Sequence, residues 1–271
     1  MTTPTKSHGR LSIKATAQPR ALMTDRPDLA QAWTAKVITL FPQAFPGVLG
    51  ASLTGKALDQ GLWQLHPIDL RPFGIGKHRN VDDTPAGGGA GMVLRADVMG
   101  EALDHAARGT PDRSEWPVIY LSPRGKPFQQ TDAQRFASAK GVTLICGRFE
   151  GLDQRVIDHY DVEEISLGDF VMTGGEIAAQ ALIDATVRLL PGVLGNEASA
   201  VEESFSNGLL EHPQFTKPAT WRGHEIPEIL QSGHHARIAK WQQDQSAALT
   251  KSRRPDLWQA YQARNATKDS D

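Results

Sequence analysis

Three apolar runs, each breaking into a short loop, constrain this chain more than any other feature. Val118–Leu121 (VIYL) leads into SPRG, Val142–Cys146 (VTLIC) into GRFEG, and Val162–Leu167 (VEEISL) into GDF. The first two are nearly continuous β-formers, the pattern of strands covered on both faces. Helix-like stretches lie around Val98–Ala107, Asp132–Ala139 and Asp153–His159. Such alternation predicts an α/β unit built on a parallel sheet. Ordered structure is expected to begin at Ala35–Phe41 (AKVITLF), which Pro42 halts.

A further helix is read in TGGEIAAQALIDATVRLLPG. Thr173 followed three residues later by Glu176 matches a capping box, Pro191-Gly192 gives a stop, and the scarcity of polar positions predicts a largely buried helix. VLGNEASAVEESFSNG, which follows, has no clear period and reads as a linker. From about Ile226 the pattern turns helical again. The expected organisation is a disordered extension at 1–34, an α/β domain at 35–194, a linker at 195–208 and a helical C-terminal domain at 209–271.

Bulk properties fit a soluble globular protein. The chain has 271 residues, 39% of them hydrophobic and 22% charged, and no apolar run long enough to span a bilayer. A formal net charge of −2 does not advertise a polyanion partner. The charge is uneven, however: from Lys217 to Arg254 seven basic residues face three acids, a local surface able to hold nucleic acid. The single cysteine, Cys146, excludes an internal disulfide framework and a cysteine-rich zinc site, and its apolar setting marks a buried structural thiol. The first 34 residues are basic, hydroxyl-rich and free of acids before Asp25. An organellar transit peptide shares that composition, but the rest of the chain favours a disordered cytoplasmic extension.

Ligands of parallel sheets bind at the carboxyl ends of the strands. Here those ends carry Ser122-Pro123, then Gly147 to Gly151, then Gly168 to Phe170 followed by Gly174-Gly175, and their convergence predicts a pocket. A glycine cluster, VDDTPAGGGAGM, precedes them. It lacks the Gly-Lys-Ser/Thr of a P-loop, and no strand and ribose-binding acid frame it as a dinucleotide site.

The stretches LFPQAF, VDDTPAGGGAGM, VIYLSPRG, ICGRFEGLDQRV, SLGDFVMTGGE, LPGVLGNEASA and EESF, in that order from about Lys36 to about Trp258, resemble the bacterial tRNA (guanine-N1)-methyltransferases of the SPOUT class. The resemblance implies a trefoil-knotted α/β domain, a homodimer with composite active sites, and S-adenosylmethionine as methyl donor. It implies a tRNA substrate with guanosine at position 37, immediately 3′ of the anticodon and preceded by another guanosine. By motif match the cofactor pocket takes Leu121, Ser122 and Pro123; Gly147 and Glu150; and Leu167, Gly168, Asp169, Phe170, Val171, Met172, Gly174 and Gly175. Magnesium is associated with the family, although no carboxylate cluster here marks a site.

Guanine N1 holds a proton and attacks only once it leaves, so the reaction needs a base, together with a cation or donor near O6. The resemblance puts the base at Glu203, where the family commonly has Asp, with Glu202 as the nearest rival, and the charge-stabilising arginine at Arg188. It sets Asp82, Asp83 and the bare backbone of Gly87, Gly88, Gly89 and Gly91 beside the target guanine. His234, His235, Arg237 and Lys240 belong to the basic C-terminal surface expected to grip tRNA. Trp241 and Trp258 read as core. A SPOUT methyltransferase acting on ribosomal RNA and a non-catalytic RNA-binding relative are the alternative readings.

Overall fold

The computed structural model describes residues 32–109, 112, 114–195 and 203–268; most of the predicted N-terminal extension and Glu202 lie outside these. The first half runs β1 (Trp33–Thr39), α1 (Ser52–Asp59), β2 (Trp63–Asp69), β3 (Asp82–Asp83), β4 (Val93–Leu94) and α2 (Ala96–Ala107). It continues through β5 (Val118–Pro127), α3 (Gln130–Ser138), β6 (Gly141–Cys146), α4 (Gln154–Tyr160), β7 (Glu163–Ser166) and α5 (Glu176–Val187). A short hairpin of β8 (Thr220–Trp221) and β9 (His224–Glu225) precedes α6 (Glu228–Gln231), α7 (His235–Arg253) and α8 (Pro255–Lys268).

Five strands form one parallel sheet in the order β2-β1-β6-β5-β7. The period-2 rule is visible in which core each residue enters. Ala35, Val37, Ile119, Leu121, Val142, Leu144 and Cys146 face one cluster, packed with Phe136 of α3 and Ala178, Leu182 and Ile183 of α5. Ile38, Tyr120 and Ile145 face the other, with Val98, Met99 and Leu103 of α2 and Val156 and Ile157 of α4. Burial on both faces is why these runs show no polar alternation. Neither cluster contains a residue beyond Val193.

Several expectations change. The ordered domain begins before residue 35: Trp33 is buried and its indole N–H donates to the Phe136 carbonyl at 2.9 Å. Strand β2 was not anticipated, because an edge strand with half-wet faces and Pro67 lacks the apolar signature. Thr173 and Glu176 form no capping box. Gly175 is the N-cap of α5, and the Glu176 carboxylate is turned inward instead. That helix is buried along one face only, with Ile177 66% exposed. Strand β5 pairs with β7 through Leu121, then again from Lys126, both opposite Ile165. Ser122 to Gly125 therefore loop out of the sheet, the first wall of a pocket.

Candidate active site

The three loops converge on a cavity of about 300 Å³ at the carboxyl edge of β5, β6 and β7, within the usual range of small-molecule sites. Leu121, Ser122 and Pro123 line it from the first loop, Gly147 and Glu150 from the second, and Leu167, Phe170, Val171, Met172, Gly174 and Gly175 from the third. Of the residues predicted for the pocket, only Gly168 and Asp169 are not in its lining. Gly168 has φ +155° and makes the turn that lays Phe170 back, while Asp169 is exposed. Arg148 and Tyr120, which the sequence did not single out, also line the cavity. The Tyr120 hydroxyl is pushed above its ordinary pKa by burial.

Arg148 explains why the second and third loops meet at a fixed spacing. Its guanidinium donates to Glu176 Oε2 at 2.7 Å and to the Thr173 carbonyl at 3.0 Å, and sits 4.3 Å from the Phe41 ring centroid. Glu176 Oε1 accepts from Thr39 Oγ1 at 2.7 Å. A carboxylate only 6% exposed in its side chain is tolerated because each oxygen has a donor. Removing one partner of such a pair costs about 3–5 kcal/mol. Gly174 and Gly175 complete the fit. A Cβ on Gly174 would come 2.3 Å from Arg148 Nε, and one on Gly175 would come 2.7 Å from Cys146 Cα. Cys146 is buried and its thiol is pushed well above its ordinary pKa by desolvation, which makes it a structural residue.

The glycine cluster docks against the second loop. Glu150 N donates to the Met92 carbonyl at 2.9 Å, and a Cβ on Gly91 would come 2.5 Å from Glu150 Cγ. Gly87, Gly88 and Gly89 all have left-handed φ, and open space surrounds the positions their Cβ atoms would take. Asp82 and Asp83 form β3, paired with Leu94 and Val93. The Asp83 carboxylate accepts from Arg95 through Oδ2 at 2.9 Å and from Thr84 N through Oδ1 at 2.8 Å, so each of its oxygens already has a donor.

Arg188, directly after α5, reaches Glu203 across the linker in a two-pronged ion pair. Its Nη1 donates to Oε2 at 2.6 Å and Nη2 donates to Oε1. The guanidinium beside it holds the Glu203 carboxyl below the usual range, and the carboxylate in turn raises the arginine. Neither residue lines the cavity. His234, His235, Arg237 and Lys240 are exposed at the start of α7, with Lys240 paired to Asp244 at 3.1 Å. Trp241 and Trp258 are half-buried, beside Phe215 and Tyr261 respectively. Among the described residues no group of His, Cys, Asp and Glu is arranged to hold a metal ion, and no helix is long and apolar enough to cross a membrane.

A parallel sheet flanked by helices, with a ligand-sized cavity walled by three strand-end loops, places the chain in the α/β class with its candidate site at the strand ends, where such sheets bind ligands. Residues 34–260 match the family model described as tRNA (Guanine-1)-methyltransferase TrmD. The chain belongs to that family. A protein of Ruegeria sp. (strain TM1040) named tRNA (guanine-N(1)-)-methyltransferase is 69% identical over 244 residues, 90% of this chain and 99% of the relative. Relatives of the same name are 72% identical in Jannaschia sp. (strain CCS1), over 87% of this chain and 96% of theirs, and 55% identical in Gluconobacter oxydans (strain 621H), over 86% and 97%.

Proposed function

We propose that this chain is a tRNA (guanine-N1)-methyltransferase that methylates N1 of the guanosine 3′ of the anticodon, when another guanosine precedes it, with S-adenosylmethionine as donor. The observation that carries the reading is the coincidence of the family match with a cavity walled by nearly all the residues the motifs nominate. The cavity fits such a donor. Its lining includes Gly147, Gly174 and Gly175, whose backbone no side chain covers, and the apolar residues Leu121, Leu167 and Ala178. The donor supplies an electrophilic methyl group on a sulfonium, which needs positioning more than activation. Magnesium finds no carboxylate cluster among the described residues.

The protein's own work is proton removal and charge stabilisation. Glu203 is ionised at neutral pH and held by Arg188. When the guanine enters between them, Arg188 turns to the negative charge gathering on O6, and Glu203, released from its cation, regains basicity and takes the N1 proton. In this reading the complete site is composite between two copies of the chain, which the position of the pair outside the cavity lining supports. The partner copy docks through the exposed apolar face that includes Val48, Leu53 and Ile177. In this reading the α/β unit is knotted, the segment after the linker is a separate helical tRNA-binding domain, and the enzyme works in the cytoplasm. The Gly87–Gly89 backbone receives the flipped base and Asp82 tests its N–H groups. In single-turnover assays Glu203→Gln should lose on the order of 10²–10⁴-fold in methyl transfer while cofactor binding survives. A near-normal rate in that variant would remove Glu203 from the mechanism.

A further inference from the structure

The hairpin of β8 and β9 stands apart from the packed structure. Every residue from Pro213 to Glu225 is exposed, and an isolated two-stranded hairpin is marginal in water. It is closed by the register Thr220↔Glu225 and Trp221↔His224 and by Ile226 N donating to the Ala219 carbonyl at 3.0 Å. Its two-residue turn is Arg222-Gly223, with φ +51° and +82°. Turns of this hand favour Asn or Asp before Gly. An arginine held at left-handed φ departs from that preference, so its side chain, not its backbone, accounts for its presence. That guanidinium lies 5.0 Å from the centroid of the Trp221 ring, and Trp221 is 59% exposed.

We infer that this tip is a stacking platform for an unpaired base of the RNA substrate, with Trp221 as the flat surface and Arg222 as the phosphate-facing cation; the inference rests on the RNA-modifying reading above. Three observations favour RNA as the occupant. A single exposed indole backed by a cation offers a π-face, not the broad apolar patch of a protein interface. From Pro213 to Glu225 the charged residues are Lys217 and Arg222 against one acid, Glu225, with His224 across from the indole. Among the described residues neither Lys217 nor Arg222 is committed to an ion pair. The site is separate from the pocket, whose lining ends at Ala178.

The test uses the full chain with an unmodified tRNA transcript, measuring tRNA affinity, cofactor affinity and oligomeric state for wild type, Trp221→Ala, Trp221→Phe and Arg222→Asn. Stacking on one aromatic side chain corresponds to an affinity loss on truncation of roughly 5- to 150-fold. Trp221→Ala is expected to weaken tRNA binding about tenfold, read as a raised KM for tRNA, with cofactor affinity unchanged and Trp221→Phe restoring most of the loss. Arg222→Asn suits the turn and is expected to lower the salt dependence of tRNA binding by about one counterion. Wild-type tRNA affinity in Trp221→Ala overturns the inference, as does a change in oligomeric state in its place. A wild-type chain that methylates no tRNA overturns the underlying reading and this one with it.

Discussion

Gly175 is the point where the pocket's two larger loops touch, and substituting alanine there tests whether their spacing sets cofactor binding. Its φ lies outside the left-handed region, so the added methyl group strains no dihedral; the effect is purely one of contact. The new Cβ would stand 2.7 Å from Cys146 Cα and 2.9 Å from Gly147 N, and ordinary contact begins at 3.4 Å. Both obstacles are backbone of β6 and its loop, which no rotamer change can clear. The third loop must therefore retreat by about 0.7 Å, lengthening the 3.0 Å bond from Gly175 N to the Gly147 carbonyl. Overpacking of this kind costs about 1–3 kcal/mol, which would lower the unfolding midpoint by roughly 3–10 °C. A misplacement near 1 Å costs on the order of 10²-fold in a positioned site, so S-adenosylmethionine affinity should fall about 10- to 100-fold. Calorimetric titration and thermal unfolding read the two effects. Gly195→Ala, where nothing lies within 4 Å, is the control and should change stability by less than about 0.5 kcal/mol. Cofactor affinity within twofold of wild type in Gly175→Ala would refute the claim that these loops form the binding wall.

Other consequences are open to measurement. Asp83→Ala removes one carboxylate partner of Arg95, which stays paired to Asp97, and should relax the preference for guanosine before the target base; unchanged discrimination in a competition assay would reduce β3 to a structural turn. Asp256, in the first turn of α8, is pushed down to about 2 by the Arg254 guanidinium, from an ordinary 3.8. A depressed carboxyl stabilises the fold above its unfolded pKa and loses that contribution as pH falls through the folded value. The helical signal of α8 should therefore weaken between pH ~4 and ~2, and circular dichroism showing equal acid loss in Asp256→Asn would contradict this.

The parts of this molecule legible in the sequence are those where burial leaves a strong pattern. VIYL and VTLIC lie deep in the sheet with both faces covered, so their bare apolar runs identified them and, with them, the loops of the pocket. WQLHPID could not be read this way: at the sheet edge its residues are half-wet, and Pro67 argues against a strand. The hairpin at Thr220–Glu225 buries nothing and leaves only its turn residues as a signal. Thr173 and Glu176 had the spacing of a cap, yet Arg148 and Thr39, distant in sequence, offered the carboxylate two better donors. The same three-dimensional logic hid Arg148 from the site prediction. Arg188 and Glu203 came from motif position alone, since no local period links residues on either side of a patternless linker; their pairing is a product of the fold.

Methyl transfer itself tests the proposed reaction most directly. Purified protein, radiolabelled S-adenosylmethionine and two tRNA transcripts differing only in the nucleotide before the target guanosine are sufficient. Label is expected at guanine N1 in the transcript with guanosine at that position and none when adenosine replaces it. Equal labelling of both, or of neither, would contradict it.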